Sequence, residues 1–215
     1  MSKASRGNPP VSPDPLDEPA GADGRLRRWL EALVATPGLT SVTAEEAPRV
    51  HLADSLQAAE TVRQFDGPII DVGSGGGAPG IPLAAALPER EVTLLDASRR
   101  KCAFLERWAR EFPNVRVVCG RAEEQPVDAW GVALAKALAS PPVAAEWCLP
   151  LVRPGGAAIL FAGPSAERER VASVAEQLAG ELAEPRSGLL VLRKLGPTPP
   201  GFPRRPGLAR KRPLA

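Results

Sequence analysis

The chain has 215 residues, of which 44% are hydrophobic and 24% charged, enough for one domain with a substantial core and short flanking segments. A net charge of +2 excludes a strong whole-molecule field, so any contact with nucleic acid has to rest on local clusters of cations. Cys102, Cys119 and Cys148 lack metal-ligand spacing, no apolar stretch has membrane-spanning length, and no apolar leader follows Lys3 and Arg6, so the chain reads as a cytoplasmic protein without a membrane partner or a metal.

Residues 1–24 are proline-rich, lack apolar periodicity and are expected to be disordered. Leu26, Trp29, Leu30, Leu33 and Val34 then follow the i, i+3, i+4, i+7, i+8 stripe of a helix over 25–35, which Pro37-Gly38 stops. A second helix is predicted over about 47–65, with Val50, Leu52, Leu56, Ala59 and Val62 inward. It carries the only histidine, in His51-Leu52-Ala53-Asp54-Ser55-Leu56. Strands and helices alternate from there. The predicted strands are 68–72, 92–95, 115–118, about 131–135 and 157–161, and the helices between and after them are 79–87, 98–111, 141–150 and 165–181. Two last strands, 181–184 and 189–193, flank the turn Pro185-Arg186-Ser187-Gly188. This alternation implies a mostly parallel doubly wound sheet, and the final pair, linked without a helix, is expected to be antiparallel.

The most informative stretch is Ile69-Ile70-Asp71-Val72-Gly73-Ser74-Gly75-Gly76-Gly77-Ala78-Pro79-Gly80-Ile81-Pro82. It reads as a buried strand, a tight turn and a helix start, whose free N–H groups and small residues let a polar ligand approach the backbone. A dinucleotide fingerprint has G-x-G-x-x-G spacing, whereas here Asp71 stands two residues before the first glycine of a G-x-G-x-G run. A pyrophosphate would be repelled by Asp71, and the cationic amino-acid end of S-adenosylmethionine would suit it. The Asp-x-Gly-x-Gly-x-Gly order resembles motif I of the class I S-adenosylmethionine methyltransferases, which makes Asp71, Gly73, Gly75, Gly77 and Ala78 candidate cofactor residues.

Asp96, 25 residues after Asp71 at the end of the second strand, suits ribose hydroxyls or a helix cap. Ala122 and Glu123 follow the third strand, where class I methyltransferases approach the adenine; a solvated Glu123 is the other reading. His51 and Asp54 share a helical face, and a lone histidine of this kind is more often structural than catalytic. The segment from Phe202 to Pro213 holds Arg204, Arg205, Arg210, Lys211 and Arg212 and no acid, so it reads as a solubilising tail or a phosphate-binding arm, with Arg100 and Lys101 adding charge near the cofactor site.

Taken together, Leu39-Thr40-Ser41-Val42, His51-x-x-Asp54-Ser55-Leu56, the glycine turn through Pro79-Gly80-Ile81-Pro82-Leu83, Leu94-Leu95-Asp96, Phe104-Leu105, Arg121-Ala122-Glu123 and Phe202-Pro203-Arg204-Arg205-Pro206-Gly207 resemble one family. That family is the bacterial guanine-N7 methyltransferases of 16S ribosomal RNA, the glucose-inhibited division protein B type. The resemblance implies a class I methyltransferase fold, Rossmann-like and mostly parallel with a late antiparallel strand. In it, an N-terminal helical extension (25–66) precedes the methyltransferase domain (67–195) and a basic tail (196–215). It implies S-adenosyl-L-methionine as cofactor, 16S rRNA or the small ribosomal subunit as partner, and contacts to the cofactor from Gly73, Ala78, Ala122, Glu123 and Lys136; a monomer is the separate expectation for the chain. Lys136-Ala137 stands where the family has Arg-Ala, and Ala162-Gly163 where it has Lys-Gly, so Lys136 is expected to position cofactor or RNA without the planar fork of arginine. A methyltransferase with another target, and a ribosome-binding relative without turnover, are the alternative readings.

Overall fold

A computed structural model describes residues 24–163, 167–184 and 188–215. The expected disorder of 1–24, the turn residues Pro185–Ser187 and the start of the helix predicted at 165 fall on or reach beyond the limits of the described residues.

Helix α1 spans Arg25–Ala35 and buries Leu26, Trp29, Leu30 and Leu33, the predicted stripe. The single helix predicted over 47–65 is broken into three pieces. A wide π-helical turn covers Pro48–Ala53, and the short helices α2 (Asp54–Leu56) and α3 (Ala59–Val62) follow. Asp54 N–H reaches back five residues to Arg49 O, and the Ser55 hydroxyl donates to His51 O at 2.8 Å. That competing hydroxyl bond bends the chain where an apolar stripe alone predicts continuity.

Strands β1 (Ile69–Val72), β2 (Val92–Asp96), β3 (Val115–Cys119), β4 (Trp130–Lys136) and β5 (Val152–Phe161) are parallel to one another. The connecting helices are α4 (Gly80–Ala86), α5 (Arg99–Ala109) and α6 (Pro141–Cys148); α7 (Arg168–Gln177) leads to β6 (Gly180–Leu182), which joins β7 (Leu189–Lys194). The sheet order is β3-β2-β1-β4-β5-β7-β6, with β7 antiparallel to both neighbours, as the helix-free link predicts. Strand β5 begins five residues earlier than predicted because the pairing with β4 shifts register between Trp130 and Val132, so Val152 pairs across the irregularity.

Side chains alternate across the sheet. Ile69, Val132 and Leu134 pack with α1, α4 and α5, whereas Ile70, Val72, Ala133 and Ala135 pack with α6 and α7. The chain reverses direction across the sheet between β1 and β4, and in open α/β sheets a ligand crevice forms beyond the strand ends at that point.

The segment after β7 is folded against the domain. Phe202, Leu214 and Ala215 pack on the α6–α7 side, and Ala209, in the short helix α8 (Leu208–Lys211), is buried. Among the described residues no helix is long and apolar enough to cross a membrane.

Candidate functional site

The turn after β1 rests on three backbone turns that β-carbon sterics restrict, with φ of +71°, +58° and +105° at Gly73, Gly75 and Gly77. It is also pressed from outside by α1. A side chain at Gly76 would put its Cβ 2.1 Å from Leu33 Cδ1, and Trp29 Nε1 donates to Gly76 O at 2.9 Å.

Asp71 stands behind this turn, not in front of it. Its carboxyl is buried, Oδ2 accepts the Gly80 N–H at 3.0 Å, and Oδ1 has no partner. The direct partner is the start of α4, so Asp71 holds helix to turn. Burial pushes its pKa up to about 7, against the lowering effect of the Gly80 and Ser74 bonds. The folded chain then keeps a proton that the unfolded chain releases from about pH 4 upward. Asp71 therefore costs stability progressively as pH rises to about 7, and by a constant amount above that. His51 acts in the opposite sense, because burial lowers its pKa to about 4 and its contribution grows from pH 4 to 6.5. Asp71→Asn, which keeps an acceptor for Gly80, isolates the first effect. Its unfolding free energy relative to the parent chain is expected to climb between pH 4 and 7 with a slope approaching about 1.4 kcal/mol per pH unit, then level off. Urea titrations at pH 5, 6, 7 and 8 measure it, and a pH-independent difference would overturn the assignment.

Three cavities share walls along the carboxyl edge of the sheet. The first, about 280 Å³, lies beyond β2 and β3 among Asp96, Ala122, Glu123, Leu138, Trp147 and Arg210. The second, also about 280 Å³, meets the first at Gly73, Lys101 and Ala137, and is bounded by Leu33, Thr40, His51, Gly75 and Lys136. The third, about 410 Å³, meets the second at Lys136 and Ala137 and reaches Asp54, Phe161 and Ala162.

Asp96 stands at the junction of the first two. Its Oδ2 accepts the Gly75 N–H at 3.0 Å, Oδ1 accepts the Ser98 N–H at 2.8 Å, and Lys101 Nζ is 3.7 Å away. The acid thus joins the end of β2 to the glycine turn while facing the cavity. Gly73, Gly75 and Ala78 line the cavities, but Gly77 lines none of the three and packs toward Ile81 and Trp29. Glu123 is half-buried and engaged: Oε1 accepts from Trp147 Nε1 at 3.1 Å and from Gly207 N–H at 3.0 Å.

The rim residue Lys136 points back into the domain. Its ammonium donates to Val50 O in the π-helical turn, lies 4.0 Å from Asp54 and 5.3 Å from the Phe161 ring centroid, and burial lowers its pKa. Asp54 therefore pairs with Lys136, and His51 bonds Thr40 Oγ1 at 2.9 Å, so the two residues that share a face in sequence serve different partners.

The cations predicted to bind RNA divide. Arg204 forks onto the buried Glu146 at 2.5 and 2.6 Å and is withdrawn from solvent, which corrects its expected place on a phosphate-binding arm. Arg210 lies 5.2 Å from the Trp147 ring centroid and donates to Leu138 O at 3.3 Å. Arg100 bonds Pro37 O, Lys101 faces Asp96, and Arg205, Lys211 and Arg212 are exposed. Trp29, Leu33, Glu146, Trp147 and Leu138 are site residues that motif reading misses; the one available signal was an acid, Glu146, in an otherwise apolar helix. Among the described residues no group of three His, Cys, Asp or Glu side chains could hold a metal ion.

The arrangement fits a nucleoside in the first cavity and a short zwitterionic chain along the glycine turn in the second. An acid for hydroxyls stands between them, and the two adjoining cavities, about 280 Å³ each, together reach the range of small-ligand sites. A family model described as rRNA small subunit methyltransferase G, GidB, matches residues 25–184. A Synechococcus protein named ribosomal RNA small subunit methyltransferase G is 39% identical over 189 residues, 76% of this chain and 73% of its own. Its namesake from Carboxydothermus hydrogenoformans is 37% identical over 196 residues, 82% of this chain and 83% of its own. Among solved structures, an S-adenosylmethionine-dependent O-methyltransferase from Thermotoga maritima superposes with a TM-score of 0.55 at 13% identity, over 78% of this chain and 71% of that one. The T. thermophilus 16S rRNA methyltransferase RsmC, solved with AdoMet and guanosine, gives 0.52 at 19% identity, over 70% of this chain and 41% of that one. At those identities the likeness is one of fold.

Proposed function

Because the chain belongs to the rRNA small subunit methyltransferase G (GidB) family, we propose that it transfers the methyl group of S-adenosyl-L-methionine to N7 of a guanine in 16S rRNA. The observation that carries the reading is Asp96 bonded to Gly75 N–H at the junction of two cavities beyond the β1 and β2 strand ends. S-adenosylmethionine, when bound, supplies a methyl group made electrophilic by its sulfonium.

Guanine N7 already carries a lone pair on the groove edge of the base, so no proton has to leave before attack. The residues that face the second cavity agree with that economy. His51 is held neutral by its low pKa and is occupied by Thr40, and Lys136 is engaged by Val50 O and Asp54. What this chain contributes is alignment, which in favourable cases lowers a barrier by about 7–11 kcal/mol. Gly73, Gly75, Ala78, Asp96 and Ala122 border the cofactor in this reading, Asp71 and Glu123 hold the borders in place, and the target base approaches over Lys136. Arg100, Arg205, Lys211 and Arg212 are exposed cations that line none of the three cavities and remain for RNA phosphates, whereas Arg210 is exposed but lines the first cavity.

Incubation with labelled S-adenosylmethionine and unmodified small subunits, followed by borohydride and aniline cleavage, is expected to map label and strand scission to one guanine. Cofactor binding without label in RNA would favour another substrate. Lys136→Ala removes a side chain that ties the end of β4 to the π-helical turn through Val50 O and to the start of α2 through Asp54. Its kcat/KM is expected to fall about 10- to 100-fold, the range a displacement of about 1 Å produces in an aligned site. Unchanged kinetics and cofactor affinity would remove Lys136 from the site.

A further inference from the structure

The segment after β7 has two faces. Arg205, Lys211 and Arg212 face solvent and line none of the three cavities, whereas Gly207 and Arg210 line the first. The inward face is anchored twice, by the Arg204–Glu146 fork and by the burial of Ala209 in α8. Glu123 then fastens it to the cavity: one carboxylate oxygen takes the Gly207 N–H and the Trp147 indole N–H together. Arg210 covers Trp147 and bonds Leu138 O, and Leu138 itself fills the space beside Gly73, 2.3 Å from where a Cβ would stand. A chain of contacts thus runs from the glycine turn through Leu138 to Arg210, all lining the first cavity together with Asp96.

We propose that Gly207–Arg210 is a wall of the nucleoside site, with Arg210 and Trp147 forming the surface against which the purine of the adenosyl group lies. Glu123 acts as a positioning residue that pins this wall. The inference rests on the cofactor reading above. Its chemistry is that of a planar, polarisable base: Asp96 bounds the hydroxyl-facing side of the cavity, and a guanidinium stacked on an indole presents the flat cationic face that such a base packs against. Both lone-pair directions of Glu123 Oε1 are occupied, so this oxygen holds the wall and does not read the base.

The test uses the full chain and two ligands, S-adenosylmethionine and methylthioadenosine, the second lacking the amino-acid end. Arg210→Ala is expected to weaken both by the same factor, about five- to tenfold, and to leave the KM for RNA unchanged at saturating cofactor. Arg210→Lys keeps the charge but not the flat fork, and is expected to restore little. Trp147→Phe, which keeps a ring and drops the N–H to Glu123, is expected to weaken both ligands in parallel by about two- to fivefold. If the Arg210 variants bound both nucleosides as the parent does, or lost only RNA affinity, the wall would be overturned in favour of a phosphate-binding arm. If lysine restored full affinity, the stacked guanidinium would be excluded. A parent chain that bound neither nucleoside would instead overturn the cofactor reading.

Discussion

Trp29→Ala is expected to cost about 3–5 kcal/mol of stability, the range for truncating a fully buried tryptophan. Trp29 has 0% exposure and is among the largest side chains closed off from solvent. It is also the contact through which α1 reaches the glycine turn, with its Nε1 on Gly76 O at 2.9 Å and 3.2 Å from where a Cβ on Gly77 would lie. A loss of this size is at least about a fifth of the stability of an ordinary domain, about 5–15 kcal/mol, and can equal the whole of it. Trp29→Phe separates the two roles. It retains most of the apolar area and leaves the buried Gly76 carbonyl without its donor, at an expected cost of about 1–3 kcal/mol. Urea denaturation gives both numbers, and calorimetric titration with S-adenosylmethionine gives the consequence for the site. Trp29→Phe is expected to bind the cofactor more weakly at a temperature where it is fully folded. Undiminished binding would mean that α1 supports the fold and not the turn.

Arg204→Ala is expected to cost about 3–5 kcal/mol, because it leaves the Glu146 carboxylate buried without its cation. Glu146 is 3% exposed, and both of its oxygens are engaged by the Arg204 fork, which also reaches Arg212 O at 2.8 Å. The sequence reading places Arg204 on a phosphate-binding arm, and that placement predicts the reverse pattern: little change in stability and weaker RNA binding. Pairing the loss with Glu146→Met in a double variant, Arg204→Met with Glu146→Met, is expected to recover much of it, since apolar residues of similar volume often replace a buried pair without penalty. Thermal unfolding of the single and double variants decides between the two. If Arg204→Ala unfolded with the parent chain, Arg204 would return to the RNA-facing set.

The parts of the molecule that were legible beforehand share a local signal. Helix α1 follows from the spacing of Leu26, Trp29, Leu30 and Leu33, and the parallel strands follow from alternating apolar runs and turns. Gly73, Gly75 and Asp96, which border the cavities, were singled out because close backbone approach and strand-end acids leave a trace in spacing. What was illegible depends on partners distant in the chain. Whether Asp71 faces a ligand or a helix start depends on where Gly80 N–H falls. Whether Arg204 is a free cation depends on Glu146, 58 residues away. The break in the helix predicted over 47–65 turns on one hydroxyl, Ser55, choosing a carbonyl over solvent, which hydrophobic periodicity does not record.

The site is closed by segments far apart in the chain: Trp29 reaches across 47 residues to Gly76, and Glu123 across 84 to Gly207. The strands β1, β2 and β3 with α4 and α5 can associate through near-neighbour contacts, but the borders of the first two cavities are complete only after both distant segments have docked. A partly folded chain therefore shows the glycine turn without a cavity to hold a ligand. The cofactor is then a ligand of the complete fold alone, and its concentration enters the folding equilibrium at full weight, about 2.7 kcal/mol at a hundred times Kd. In a cell, the supply of methyl donor would help set how much of this protein stays folded, as well as how fast it works.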